Sequence, residues 1–139
     1  MKFVEIPEKI LFVCVENTGR SQIAEAFFRK HAPKKFQAIS AGTNPGTEVN
    51  PVVVEAMKEV GIDISQKPKS LSNDMIKDSF QTVNMGCINK EQCPALFVDD
   101  VLDWGIEDPK GKSIEEVRII RDKVKSKVLE FIHQLEKNQ

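Results

Sequence analysis

Residues 10–13, Ile-Leu-Phe-Val, form an unbroken apolar run that ends at Cys14 and leads into Val-Glu-Asn-Thr-Gly-Arg20-Ser21. A short apolar run without alternation suits a strand buried on both faces, here about Lys9–Val15. A helical pattern follows at once over Thr18–His31. Ile23, Ala24, Phe27 and Phe28 recur at helical spacing among Glu25, Arg29 and Lys30, and Pro33 ends the segment. Strand, tight loop and helix therefore succeed one another within the first thirty residues, and a chain that starts so is committed to βα packing.

The same alternation continues. Phe36–Ser40 reads as a second strand, closed by the turn-rich Ala41-Gly42-Thr43-Asn44-Pro45-Gly46. Asn50 is placed as an N-cap with Pro51 at the first helical position. That helix carries Val53, Ala56, Met57 and Val60 inward, and Gly61 terminates it. Ser72–Lys77 reads as a short helix, Phe80–Met85 as a third strand and Ala95–Val98 as a fourth. A long final helix, about Ser113 to Lys137, places Val117, Ile120, Val124, Val128, Phe131 and Leu135 on one face. The order predicts one α/β domain over residues 1–139, a parallel sheet with helices on both faces. In such sheets ligands sit beyond the carboxyl ends of the strands. Cys14 is at one such end and Gly86-Cys87 at another, so one crevice is expected to serve both.

Composition excludes more than it selects. With 139 residues and 40% hydrophobic content the chain can bury a core. Its 20 basic and 21 acidic residues are dispersed and nearly cancel, which leaves no nucleic-acid footprint. Lys34-Lys35 and the lysines of the last helix read as solvated faces. No stretch has the length to cross a bilayer, and the first apolar run is too short for an export signal. Three cysteines, an odd number, argue against a disulfide framework and for a reducing, cytoplasmic setting.

The loop after Cys14 carries a chemistry. Backbone N–H groups of Val15, Glu16, Asn17, Thr18 and Gly19 can curl around an anion, and the following helix adds the positive end of its dipole. The same field favours thiolate over thiol at Cys14. Arg20 offers a planar fork for two oxygens of phosphate or arsenate. Ser21 can hydrogen-bond the sulfur, and Asn17 can bond back to the loop. The competing reading is a small buried thiol that ends a strand. Further along, Asp108 before Pro109 can project into a crevice and give a proton to a leaving oxygen. An ordinary Asp-Pro turn is the alternative there, and Glu107 is the neighbouring acid.

These residues resemble a known family. Cys14-x-x-Asn17-x-x-Arg20-Ser21, Ser40-Ala41-Gly42-Thr43, Gly61-Ile62-Asp63-Ile64-Ser65 and Asp108-Pro109 are similar, in order and spacing, to the low-molecular-weight protein tyrosine phosphatase superfamily. The resemblance implies a four-stranded parallel sheet. It also implies Cys14 as nucleophile, Arg20 and the loop amides as oxyanion binders and Asp108 as general acid.

Two branches share that fold, tyrosine phosphatases and thioredoxin-coupled arsenate reductases, and the remaining cysteines separate them. Ester hydrolysis needs one thiol. Reduction of arsenate to arsenite needs two electrons, which a relay from Cys14 to Cys87 to Cys93 would supply, with thioredoxin as external reductant and no tightly bound cofactor. Met85-Gly86-Cys87 through Cys93-Pro94 is similar to the reductase branch, as are Trp104-Gly105-x-x-Asp108-Pro109-x-Gly111-Lys112 and Arg118-x-x-Arg121-Asp122. The chain has no tyrosine, so the tyrosines that often follow Asp-Pro in the phosphatases are missing.

The alternative for Cys87 and Cys93 is two unrelated thiols. A zinc site is not expected, because neither His31 nor His133 is placed to assist them. Departures from the family pattern are Gly19, where many reductases have a further cysteine, and Glu16, a carboxylate within an anion loop, expected to point outward and able to weaken dianion affinity or tune selectivity. Some reductases hold potassium through residues matching Asn17, Glu25 and Ser40. The further acidic ligand falls at Ser70 here, which counts against that site.

Arsenate reduction is thus the leading expectation. A phosphotyrosine phosphatase is the second, and a non-catalytic oxyanion-binding or redox-sensing module the third.

Overall fold

A computed structural model describes residues 6–86 and 101–138. The chain alternates strand β1 (Glu8–Cys14), helix α1 (Arg20–His31), β2 (Phe36–Gly42), α2 (Pro51–Lys58), α3 (Asn73–Asp78), β3 (Gln81–Asn84), β4 (Val101–Asp103) and α4 (Ile114–Lys137). The four strands lie parallel in the order β2-β1-β3-β4. The expected strand at Ala95–Val98 falls outside the described residues; the fourth strand of the sheet is Val101–Asp103.

β1 is central, and its residues 10–14 are buried in succession, which explains why neither face carries a polar residue. Alternation sends Ile10, Phe12 and Cys14 to one face and Leu11 and Val13 to the other. The first face holds the main core, where Phe27 and Phe28 of α1, Val53 and Met57 of α2 and Val117, Ile120 and Val124 of α4 are all buried. On the opposite face Leu11, Val13 and Ala41 pack with Leu71 and with Met75 and Ile76 of α3. Helices therefore cover both faces.

Local signals set the element ends. The Asn50 side chain accepts from Val52 N–H at 2.9 Å, with Pro51 at the first position. Ser72 and Ser113 cap α3 and α4 in the same way. The first helix alone among the four has no side-chain cap and no acid in its first turn.

A polar clip joins α4 to the end of α2. Arg118 pairs with Glu59 at 2.6 Å, and Arg121 donates to Glu59 at 3.0 Å and to the Ala56 carbonyl at 2.9 Å. The hydrogen bond from Arg118, backed by its charge and by Arg121, holds the Glu59 carboxyl down at about 2 from an ordinary 4.5. A depressed carboxylate contributes stability above its unfolded value and loses it as pH falls through its folded value. The thermal midpoint of the unmodified protein should exceed that of Glu59→Gln at neutral pH. That margin should shrink as pH falls from about 4.5 toward about 2. A margin that stays constant over that range would show that the clip does not stabilise the fold.

Candidate active site

The strand order turns at β1, with β2 on one side and β3 on the other. Loops leaving the carboxyl ends of neighbouring strands diverge at such a switch point and leave a crevice. Cys14, the last residue of β1, lies there and is 3% exposed.

The loop from Val15 to Gly19 folds back over the sulfur. Asn17 takes a left-handed backbone conformation, φ 56°, which asparagine tolerates better than most residues. This turns the Asn17 N–H onto Cys14 Sγ at 3.2 Å. Ser21 Oγ lies 2.9 Å from the same sulfur. Asn17 Nδ2 donates to Ser21 Oγ at 2.6 Å, while its Oδ1 accepts from the Lys69 N–H at 2.9 Å and from Gln22 Nε2 at 3.2 Å. Each polar atom of this fully buried asparagine side chain is thereby used.

The segment after β4 closes the other side. Arg20 is 3% exposed, and its Nη1 donates to the Ile106 carbonyl at 2.8 Å. Its Nη2 stands 3.9 Å from Asp108 Oδ2. This fixes one edge of the guanidinium and leaves further N–H groups for the crevice. Pro109 lies so close to Gly19 that a Cβ there would come within 2.7 Å of its Cγ. Ile106 N–H in turn bonds the Met85 carbonyl at 2.7 Å, tying this segment to the end of β3.

Cys14, Arg20, Thr18, Glu16, Asp108 and Lys110 line one cavity of about 150 Å³. The structure thus brings together the sulfur, the arginine, the uncapped start of α1 and the carboxylate of Asp108. Unpaired amides at a helix start and a guanidinium beside a thiol make an oxyanion site with a nucleophile at its floor. Val15 and Gly19 also line this cavity. Cys87 and Cys93 lie outside the described residues, and Gly86, which precedes them, bonds the Asn84 side chain at 3.0 Å.

The residues that match a potassium site do not fit one here. The buried Glu25 carboxylate is engaged by Arg29 at 2.7 Å and by the Ser40 hydroxyl. Asn17 Oδ1 is taken as described above. A guanidinium already supplies the positive charge that this carboxylate needs.

The match to known proteins accords with this geometry. The model of the low molecular weight phosphotyrosine protein phosphatase family matches residues 9–139. The chain belongs to that family. Within it, the chain is 37% identical over 128 residues to arsenate reductase 1 of Staphylococcus epidermidis, covering 91% of this chain and 96% of the relative. Among solved structures, an arginine phosphatase from Geobacillus stearothermophilus superposes with a TM-score of 0.85 at 26% identity, over 96% of each chain. A thioredoxin-dependent arsenate reductase from Corynebacterium glutamicum superposes with a TM-score of 0.79 at 34% identity, over 96% of this chain and 64% of that one.

Three features of this family member's site were not read from its sequence. They are the Ile106 carbonyl on Arg20, the Lys69 N–H on Asn17 and the close approach of Gly42 to the loop. The first two are backbone groups, which residue identity does not mark. For the third a signal existed, since Gly42 stands in a strand-ending Ser-Ala-Gly-Thr. A Cβ on Gly42 would lie 2.6 Å from the Val15 carbonyl oxygen and 2.9 Å from Asn17 N. Both are backbone atoms of the anion loop and cannot swing away. Gly42→Ala should destabilise the protein by about 1–3 kcal/mol and weaken inhibition by orthophosphate. Unfolding in denaturant and a phosphate inhibition curve check it; a variant matching the parent in both would remove Gly42 from the support of the loop.

Proposed function

We propose that the protein is an arsenate reductase that passes electrons through Cys14, Cys87 and Cys93 and is regenerated by thioredoxin in the cytoplasm. The observation that carries the reading is the buried Cys14 sulfur, held by Asn17 N–H and Ser21 at the floor of a cavity that Arg20 also lines. Relatives named as arsenate reductases and a neighbour named as thioredoxin-dependent support it.

Arsenate sits on the loop amides of Val15, Glu16, Asn17, Thr18 and Gly19, with its oxygens gripped by Arg20 and the first turn of α1. The Cys14 thiolate attacks arsenic, an S–As bond forms, and one oxygen leaves as water with a proton from Asp108. Asp108 is suited to this because it stands at the cavity rim, half exposed and close to Arg20. The Cys87 thiolate then attacks the Cys14 sulfur. The S–As bond breaks with its electron pair to arsenic, arsenic(V) becomes arsenic(III), and arsenite leaves. The Cys93 thiolate attacks the Cys87 sulfur and restores Cys14. The dithiol of thioredoxin supplies two electrons and two protons to the Cys87–Cys93 disulfide. Chain topology favours the relay, because Gly86 follows β3, the strand hydrogen-bonded to β1, and Met85 N–H bonds the Val13 carbonyl at 2.8 Å.

A phosphatase is the second reading, favoured by the same anion cavity, which suits phosphate equally well. Among the described residues, none that lines the cavity offers an aromatic side chain to an aryl ester.

Steady-state arsenate reduction with thioredoxin, thioredoxin reductase and NADPH, run beside cleavage of para-nitrophenyl phosphate, separates the readings. Arsenate-dependent NADPH oxidation is expected. Cys87→Ser should abolish multiple turnover and spare ester cleavage. Full turnover in that variant would contradict the relay. Fast ester cleavage with no arsenate reduction in the unmodified protein would establish the phosphatase.

A further inference from the structure

Glu16 and Lys110 are 94 positions apart, yet Lys110 Nζ lies 3.1 Å from Glu16 Oε1. Glu16 leaves the anion loop and also accepts from the Thr18 hydroxyl at 3.4 Å. Lys110 follows Asp108, whose carboxylate holds the Lys110 N–H at 3.0 Å. The ion pair therefore spans from the loop that binds the anion to the segment that carries the proposed acid.

Two cavities meet at this pair. The inner one, about 150 Å³, contains Cys14 and Arg20. An outer one, about 360 Å³, is walled by Gly46, Thr47, Glu48, Asn50 and Gly111. Glu16, Thr18 and Lys110 line both. A free tetrahedral oxyanion needs only the inner cavity. An ester carries its organic group outward, and on this route the group meets the ion pair. Beyond the pair, the described residues of the outer wall offer no aromatic or aliphatic side chain to offset the removal of an apolar group from water.

We propose that the Glu16–Lys110 pair is a specificity element that admits free oxyanions and disfavours organic esters at the cavity of Cys14. The inference rests on the reading of that cavity as an anion site and adds the selecting element to it. Opening an exposed ion pair costs little, so the selection is modest and the organic group pays it at each encounter. Because the pair has no net charge, its loss alters access without changing the overall pull on anions.

The test compares kcat/KM for para-nitrophenyl phosphate with inhibition by orthophosphate. In Glu16→Ala/Lys110→Ala, which conserves net charge, ester kcat/KM relative to orthophosphate affinity should rise about three- to fivefold, the scale of one exposed pair. Lys110→Gln opens the pair from a side chain that is 69% exposed, without altering the loop, and should move the ratio the same way. The exchange Glu16→Lys/Lys110→Glu rebuilds the pair and should bring the ratio back toward the parent. An unchanged ratio in folded Lys110→Gln and in the double alanine variant overturns the inference. So does an equal shift in the exchange variant, which would mark a local charge effect. If orthophosphate fails to inhibit the unmodified protein, the anion-site reading falls, and this inference falls with it.

Discussion

The site depends on one buried side chain, Asn17. Its left-handed backbone points an N–H at Cys14 Sγ, and its amide braces Ser21 and accepts from Lys69 and Gln22. A loop meant to hold an anion must fix its donors before the charge arrives, since donors that reorganise during the reaction give up much of their effect. Without a buried hub, backbone amides that face an open crevice would turn to water. The asparagine makes the alternative expensive, because breaking one of its bonds strands a buried polar atom.

The rest of the fold holds that hub in place. β1 delivers the sulfur, and β2 brings Gly42 against the backbone of Val15 and Asn17. β3 anchors Met85, whose carbonyl holds Ile106, whose carbonyl in turn holds Arg20. Trp104 packs between Phe12 and Phe131, with ring centroids 5.8 Å from each, and links this segment to the main core. The sulfur, its arginine and the carboxylate of Asp108 thus come from three chain segments brought to one side of a parallel sheet. No helix among the described residues is long and apolar enough to cross a membrane.

Much of this was legible in sequence because burial leaves periodic traces. The apolar run 10–13 marked β1, and the helical spacing of Val117, Ile120, Val124 and Val128 marked the buried face of α4. Asn50 and Pro51 marked a helix start through capping chemistry. The helical pattern in the sequence begins at Thr18, two residues before α1 itself starts at Arg20, because the anion loop carries no capping side chain to mark the start. The described residues of β4, Val101–Asp103, include two exposed ones and carry no apolar run of their own. Long-range polar ties were illegible for another reason. Nothing in Glu16 names Lys110 as its partner, nothing in Glu59 names Arg118 and Arg121, and a carbonyl such as that of Ile106 looks the same under any side chain. The placing of Cys87 and Cys93 falls outside the described residues, so the relay rests on the chemistry of their thiols and on their place after β3.

The most direct test of the account is the alkylation of Cys14 by iodoacetate near neutral pH, followed by mass spectrometry, with and without orthophosphate or arsenate. A sulfur held by the Asn17 N–H and Ser21 in the cavity that Arg20 also lines should be alkylated faster than an unstructured cysteine, and either oxyanion should protect it in a saturable way. Slow alkylation that neither oxyanion affects would contradict the claim that this loop holds an oxyanion against a sulfur nucleophile.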